Sequence, residues 1–181
     1  MALAFLDSNR YDSLLEIGFG SGVLLPELAK YSKKTLGIDI HSHIKDVKKM
    51  TLKENVNAAL SKGSIVELPY KNNSFDCIIS VATIEHIVKL SQAVGELKRI
   101  LKRDGLGILG FPVANKLSDM LLVLTGSLRV YKKELKEIHP NTHRDILEEI
   151  KKQFDNIKVS RFPAITPLDF SLYCCCMFKK I

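Results

Sequence analysis

The sequence predicts an α/β protein: a mostly parallel sheet with helices on both faces, finished by an antiparallel strand pair. Three observations carry this. Short apolar runs alternate with helical patterns through the N-terminal half, as in consecutive βα units. A glycine cluster, Gly18-Phe-Gly-Ser-Gly22, stands between the first apolar run and the first helix. Two strand-like segments close the chain with no helix between them, which a purely parallel sheet does not permit.

The elements follow in order. Ser13–Ile17 is the first strand. Val23–Tyr31 reads as a helix, with Pro26 tolerated because it lies near the first turn. Thr35–Ile40 is a second strand and His43–Leu60 a helix weakened by Thr51 and Asn55. Ser64–Glu67 is a third, short strand. Phe75–Val81 is a near-continuous apolar run, as a strand covered on both faces requires. Gln92–Lys102 puts Val94, Leu97, Ile100 and Leu101 on one stripe, Gly105 is placed to cap its end, and Leu106–Val113 is a fifth strand. Ala114–His139 breaks the pattern with an apolar stretch, Met120–Leu124, and a Lys-rich one, Lys132–Glu137. Helix resumes near Thr142, where Asp145 completes a capping-box pattern and Ile146, Leu147, Ile150 and Phe154 supply a buried face. Strands around Ile157–Phe162 and Ser171–Phe178 form the final pair, joined by a connection with Pro163 and Pro167 that is too long for a tight turn.

At 181 residues, 46% hydrophobic and 26% charged, the chain is expected to form one domain over 1–181, and wholesale disorder is excluded. No apolar run reaches the ~18 residues of a membrane span. Residues 1–10 lack the pattern of a secretory signal. Cys174, Cys175 and Cys176 are consecutive; neighbours on a strand point to opposite faces, so they form neither a disulfide framework nor a metal-ligand spacing. A reduced, cytoplasmic protein is the expectation. The net charge of +7 is uneven: the first 90 residues carry 11 basic and 10 acidic side chains, the remainder 16 and 10. That bias suits an anionic substrate, an acidic surface or nucleic acid, or is a solvated Lys-rich face. With 8 Phe, 5 Tyr and no Trp, platforms for stacking bases are few, and nucleic acid is not favoured.

The chemistry concentrates at Leu15-Glu-Ile-Gly-Phe-Gly-Ser-Gly22. Alternating glycines after a strand tolerate positive φ and let a ligand approach the backbone. A dinucleotide fingerprint, G-x-G-x-x-G or A, would place its third small residue at Val23, which is β-branched. Glu16 lies near the C-terminal end of the strand, where open α/β sheets bind ligands, and a carboxylate there suits a cationic group better than a pyrophosphate.

These residues resemble motif I of the class I S-adenosylmethionine-dependent methyltransferases, with a methyltransferase type 11-like pattern. Further matches come in order. Asp39, ending Gly37-Ile-Asp39, resembles the acidic residue that closes the second strand in that family. Gly63-Ser-Ile-Val-Glu-Leu-Pro-Tyr70 resembles the third-strand segment, Ser74-Phe-Asp76 with Cys77–Val81 the fourth strand, Ile84-Glu-His86 the element after it, and Leu97–Leu101 with Gly105 the helix and turn before the fifth strand. The resemblance covers about residues 13–113. It implies a Rossmann-like three-layer sandwich with a mostly parallel seven-stranded sheet and an antiparallel C-terminal strand. It implies S-adenosylmethionine as cofactor and methyl transfer to an acceptor that the sequence does not identify; a small molecule or lipid-like compound is the expectation, with glycans and RNA open.

By the same resemblance, the backbone of Gly18, Phe19, Gly20, Ser21 and Gly22 lines the methionine part, and Glu16 orders the loop and receives the amino group. Asp39 holds the ribose hydroxyls with Ile40 beside the adenine. Ser64 and Ile65 flank the adenine, and Ser80 offers its backbone carbonyl to the ammonium. Ser64 stands where the family usually has Asp, leaving a hydroxyl without charge. His86 is placed to orient the acceptor or take its proton, or to hold the loop after the fourth strand. His41 and His43 line the adenine side or are exposed loop histidines. His139 and His143 are four apart, but Pro140 and the cap at Thr142 put His139 outside the helix, so no metal site is expected. Met1–Asp12 is short for a segment that covers the site in many relatives, so Ala114–Asn141 is expected as a lid or substrate insertion, or as a helix packed on the sheet. A non-catalytic cofactor-binding partner of another enzyme is the alternative function. A nicotinamide oxidoreductase is disfavoured by Val23 and by the final strand pair.

Overall fold

In a computed structural model of the chain, residues 1–6, 11–113 and 139–181 are described. The stretch expected as a lid or insertion, with Met120–Leu124 and Lys132–Glu137, lies outside them but for its last residues. A seven-stranded sheet runs in the order β3-β2-β1-β4-β5-β7-β6. Its strands are β1 (Tyr11–Ile17), β2 (Ser32–Asp39), β3 (Ala59–Lys62), β4 (Phe75–Val81), β5 (Leu101–Pro112), β6 (Asp155–Phe162) and β7 (Tyr173–Lys179). The first five are parallel, and β7 runs antiparallel between β5 and β6, as the closing strand pair requires. The helices are α1 (Leu25–Leu28), α2 (Ile44–Lys53), α3 (Leu90–Ile100) and α4 (His143–Gln153).

The sheet separates two apolar layers. Leu15, Ile17, Ile78, Leu109 and Phe111 face α3 and α4, whose Val94, Leu97, Ile146 and Ile150 are fully buried. Each such side chain contributes roughly 1.5–3 kcal/mol through burial. Leu14, Cys77, Ile79 and Ile108 face the opposite way, against Leu28 and the N-terminal residues. Beside them Phe19, Leu25, Val47 and Ala58 close a smaller cluster under α1 and α2. Cys174 and Cys176 enter the first layer and Cys175 the second, as alternation on a strand demands. All the cysteines are free and buried.

Four expected boundaries are corrected. The first helix shrinks to α1 and a 3-10 turn, Ala29–Tyr31, because β2 begins at Ser32, whose hydroxyl lies 2.8 Å from that of Thr35. The second stops at Lys53. There Asn55 takes a left-handed φ of 58°, and Val56 N–H donates to Thr51 O while Asn55 N–H donates to Leu52 O, a Schellman closure. That stop frees Ala59–Lys62 to become β3. Ser64–Glu67 is accordingly a turn, not a strand: the Ser64 hydroxyl accepts from Val66 N–H at 3.4 Å, and Glu67 N–H donates to Ser64 O. Finally, α3 ends at Ile100, and Gly105 lies within β5 after Asp104, itself at φ 59°, where the β4–β5 register slips. It therefore caps no helix.

The capping box at α4 forms: the Thr142 side chain accepts from Asp145 N–H, and the Asp145 carboxylate accepts from Thr142 N–H at 2.8 Å. Thr142→Ala is expected to destabilise the protein by about 1 kcal/mol, read from the urea midpoint at unchanged m-value, with Thr142→Ser close to wild type.

Candidate functional site

Connections after β1 lead one way along the sheet, to β2 and β3, and those after β4 lead the other. The crevice at the C-terminal ends of β1 and β4 is therefore the switch point where such sheets bind ligands. The two strands are joined in register, Ile17 opposite Ser80, and the Ser80 hydroxyl donates to Ile17 O at 2.8 Å. Ser80 is buried, so its side chain holds the crevice floor together.

The glycine loop leaves β1 at this edge. Gly18, Gly20 and Gly22 take φ of 74°, 50° and 78°. A Cβ on Gly18 would sit 2.1 Å from Thr83 Oγ1, so the loop rests directly on the segment after β4. Gly18 N–H donates to Ile38 O, and the Phe19 ring is buried beneath the loop with its edge toward His41, ring centres 5.1 Å apart. Phe19 thus presents backbone, not ring, to the crevice. Gly20 and Ser21 are exposed at the tip.

Asp39, at the end of β2, is tied to that loop. Its Oδ2 accepts from Gly20 N–H at 2.8 Å and its Oδ1 from His41 N–H at 3.1 Å. His41 Nε2 in turn lies 2.7 Å from Gly20 O. Carboxylate and imidazole together clamp one peptide of the loop, and each carboxylate oxygen retains acceptor capacity. His41 therefore has a positioning role at the loop; its signal in the sequence was only its distance of two residues from Asp39. His43 is exposed beside it. A cleft of about 510 Å³ opens on the α2 side of this clamp, lined by Gly20, Ser21, His41 and Asp46 among others.

Glu16 is 3% exposed, and its Oε2 has no hydrogen-bond partner. Burial, reinforced by the nearby charge of Asp39, pushes its carboxyl up to about 8. A buried acid with an orphan oxygen at a ligand-binding edge is poised for a cation. Ile40 is 70% exposed just past Asp39. Ser64 and Ile65 follow β3, joined to β2 where Gly63 N–H donates to Asp39 O at 2.9 Å, but the Ile65 side chain belongs to the core. Any ligand contact there falls to its backbone.

After β4 the chain makes a 3-10 turn, Ile84–His86. Glu85 is buried with Oε2 unpartnered, and burial raises its carboxyl pKa. His86 Nε2 lies 3.9 Å from Glu85 Oε1, and the His86 ring centre is 4.5 Å from that of His139. The expected separation of His139 from the α4 face holds: His143 is buried and its Nε2 lies 3.0 Å from Asp169 Oδ1, whereas His139 joins His86. Glu85 and Thr83 are residues that sequence reasoning missed, since neither shows its burial or its neighbour in the local pattern.

The family model described as Methyltransferase domain matches residues 15–109, just over half of the chain. An uncharacterized methyltransferase of Bacillus subtilis, YcgJ, is 29% identical over 94 residues, covering 51% of this chain and 37% of that protein. The crystal structure of YcgJ superposes with a TM-score of 0.72 at 15% identity, covering 99% of this chain and 96% of the other. The N-methyltransferase NodS from Bradyrhizobium japonicum, solved with S-adenosyl-L-homocysteine, gives 0.68 at 15% identity, covering 99% and 81%. Among the curated relatives, the chain spans 32% of the length of a Streptomyces fradiae transposon protein and 42% of a Methanocaldococcus jannaschii one.

The raised pKa of Glu16 sets a sign for stability. Without ligand, the folded state holds this proton between the ordinary value of 4.5 and about 8, while the unfolded chain releases it. The associated stability is complete below pH 4.5 and is lost as pH rises to 8, by as much as about 5 kcal/mol. Urea unfolding from pH 5 to 8 is expected to show this decline, and Glu16→Gln to flatten it.

Proposed function

The chain belongs to the methyltransferase domain family, and from that premise we propose that it transfers a methyl group from S-adenosylmethionine to an acceptor. The observation that carries this reading is the union, at one sheet edge, of a backbone-lined glycine loop, the Asp39 carboxylate clamped to it and the buried Glu16. A cationic thioether nucleoside needs those three things: close backbone, an acceptor pair for a cis-diol, and negative charge for an ammonium. In this reading Gly18, Phe19, Gly20, Ser21 and Gly22 surround the methionine part, Asp39 takes the ribose hydroxyls, and Ile40, Ser64 and Ile65 border the adenine. Glu16 and the Ser80 carbonyl face the ammonium.

The sulfonium methyl is already activated, so the protein aligns acceptor, methyl and sulfur and excludes water. The methyl passes from sulfur to an acceptor oxygen or nitrogen, the thioether S-adenosylhomocysteine leaves, and the acceptor's proton must go to a base. His86, 40% exposed just beyond β4, is the residue we assign to receive it or to orient the acceptor. The acceptor in this reading is small or lipid-like; Val88, 83% exposed two residues further on, supplies apolar surface there. Residues 1–181 then act as one domain in the cytoplasm, and among the described residues no helix is long and apolar enough to cross a membrane. A second reading, a cofactor-binding partner without catalysis, draws on Ser64, whose hydroxyl is turned to its own Val66 N–H and offers no charge to the adenine.

Titration calorimetry is expected to show S-adenosylmethionine binding and no NAD binding; the reverse overturns the reading. Asp39→Ala should weaken the cofactor about 10- to 100-fold. Affinity should rise from pH 6 to 8, with a proton released on binding, because the ammonium binds Glu16 in its ionised form. Labelled methyl transfer into cell extract separates the enzyme from the passive binder, and undiminished turnover in His86→Ala removes His86 from proton transfer.

A further inference from the structure

The segment after β4 contains more than a methyl-transfer site needs. One donor atom from each of Glu85, His86 and His139 lies within 4.8 Å of the others. A tetrahedral ion with bonds of about 2.1 Å separates its donors by about 3.4 Å, so a side-chain adjustment of about an ångström closes the set. His86 and His139 have room for it, being 40% exposed and half-buried respectively. The cluster is also assembled from two distant parts of the chain. The Asn141 side-chain amide donates to Ile87 O at 2.7 Å, and Asn141 N–H donates to Glu85 O. These two bonds clip the approach to α4 onto the 3-10 turn, and they bring His139 against His86.

The independent pointer to a ligand is Glu85. Its side chain is 3% exposed, its Oε2 has no hydrogen-bond partner, and no Lys or Arg forms an ion pair with it among the described residues. An orphaned buried carboxylate oxygen beside a pair of imidazoles is costly unless a further group completes the site.

The geometry points to a mononuclear site for a divalent first-row cation of the zinc class, held by Glu85, His86 and His139. Two imidazoles and one carboxylate form a ligand set that leaves at least one coordination position open, as in catalytic rather than structural zinc sites. The three ligands follow β4 at the sheet edge where Thr83 packs against Gly18, and the proposal assigns the open position to the acceptor. Resting on the methyltransferase reading, this names the acceptor class as an oxygen acid such as an alcohol or phenol, whose hydroxyl a bound cation acidifies. The cation lowers the hydroxyl's pKa so that its proton passes to bulk water before the methyl is transferred, and His86 serves as a ligand in place of a base.

The test uses the full chain, freed of metal by chelation and dialysis, and titrated with Zn²⁺ alone by calorimetry and with Co²⁺ by visible absorption. One equivalent should bind, with a four- or five-coordinate cobalt spectrum. His139→Gln and Glu85→Gln should each weaken Zn²⁺ by about 100-fold or more while circular dichroism stays native. His139→Gln should leave S-adenosylmethionine affinity unchanged. If Glu85→Gln does not fold, His139→Gln decides. Protein that binds S-adenosylmethionine but no Zn²⁺, or that binds Zn²⁺ equally in both variants, overturns the site. Protein that binds Zn²⁺ through these residues but not S-adenosylmethionine keeps the site and removes the methyl-transfer reading.

Discussion

The parallel pairing of β1 with β4 is the constraint on which the molecule depends. It joins two halves of the sheet whose connections diverge, and by diverging they leave a gap at the C-terminal ends of these strands. The Ser80 hydroxyl on Ile17 O pins the strands at that gap. Two groups of candidate site residues hang from the five residues beyond it on either side: the glycine loop after Ile17, and Thr83, Glu85 and His86 after Val81. Gly18 resting on Thr83 makes the two segments one surface, so a change to either is felt by the other.

Charge at this edge is arranged unevenly. Each oxygen of Asp39 accepts one backbone donor, from Gly20 or His41, while Glu16 and Glu85 are buried with an orphan oxygen each. The first arrangement stiffens the loop; the other two keep unmet demand for positive charge in a low-dielectric setting. Such unmet demand lowers the stability of the empty protein and becomes a source of affinity when a cation arrives. The same edge thus accommodates an organic cation on one side and, in the inference above, an inorganic one on the other.

How legible this was in the sequence depends on how local each cause is. Phe75–Val81 matched β4 residue for residue, because a strand buried on both faces must be apolar throughout. The capping box at Thr142 was readable because its partners are three residues apart. β3 was not readable: Ala59-Leu-Ser-Lys62 continues a helical pattern, and only the left-handed turn at Asn55 breaks it. Ser64–Glu67 has strand composition but bends on its own hydroxyl. Glycine at 105 suits a helix cap in one dimension, yet the edge of β7 claims that stretch, with Asp104 N–H bonded to Lys180 O.

Of the candidate site, the glycine loop and Glu16 could be named from their place at the end of the first strand, and Asp39 and His86 from the family resemblance. The sequence by itself determined the fold class and the alternation of strand and helix through the N-terminal half, because those follow from periodicity and short-range patterns. Tertiary structure alone decided that Glu85 is buried with Oε2 lacking a hydrogen bond, that His41 clamps the loop, and that His139 meets His86 across 52 intervening residues. Burial and long-range proximity are properties of packing, and no local run of side chains encodes which distant group will lie opposite.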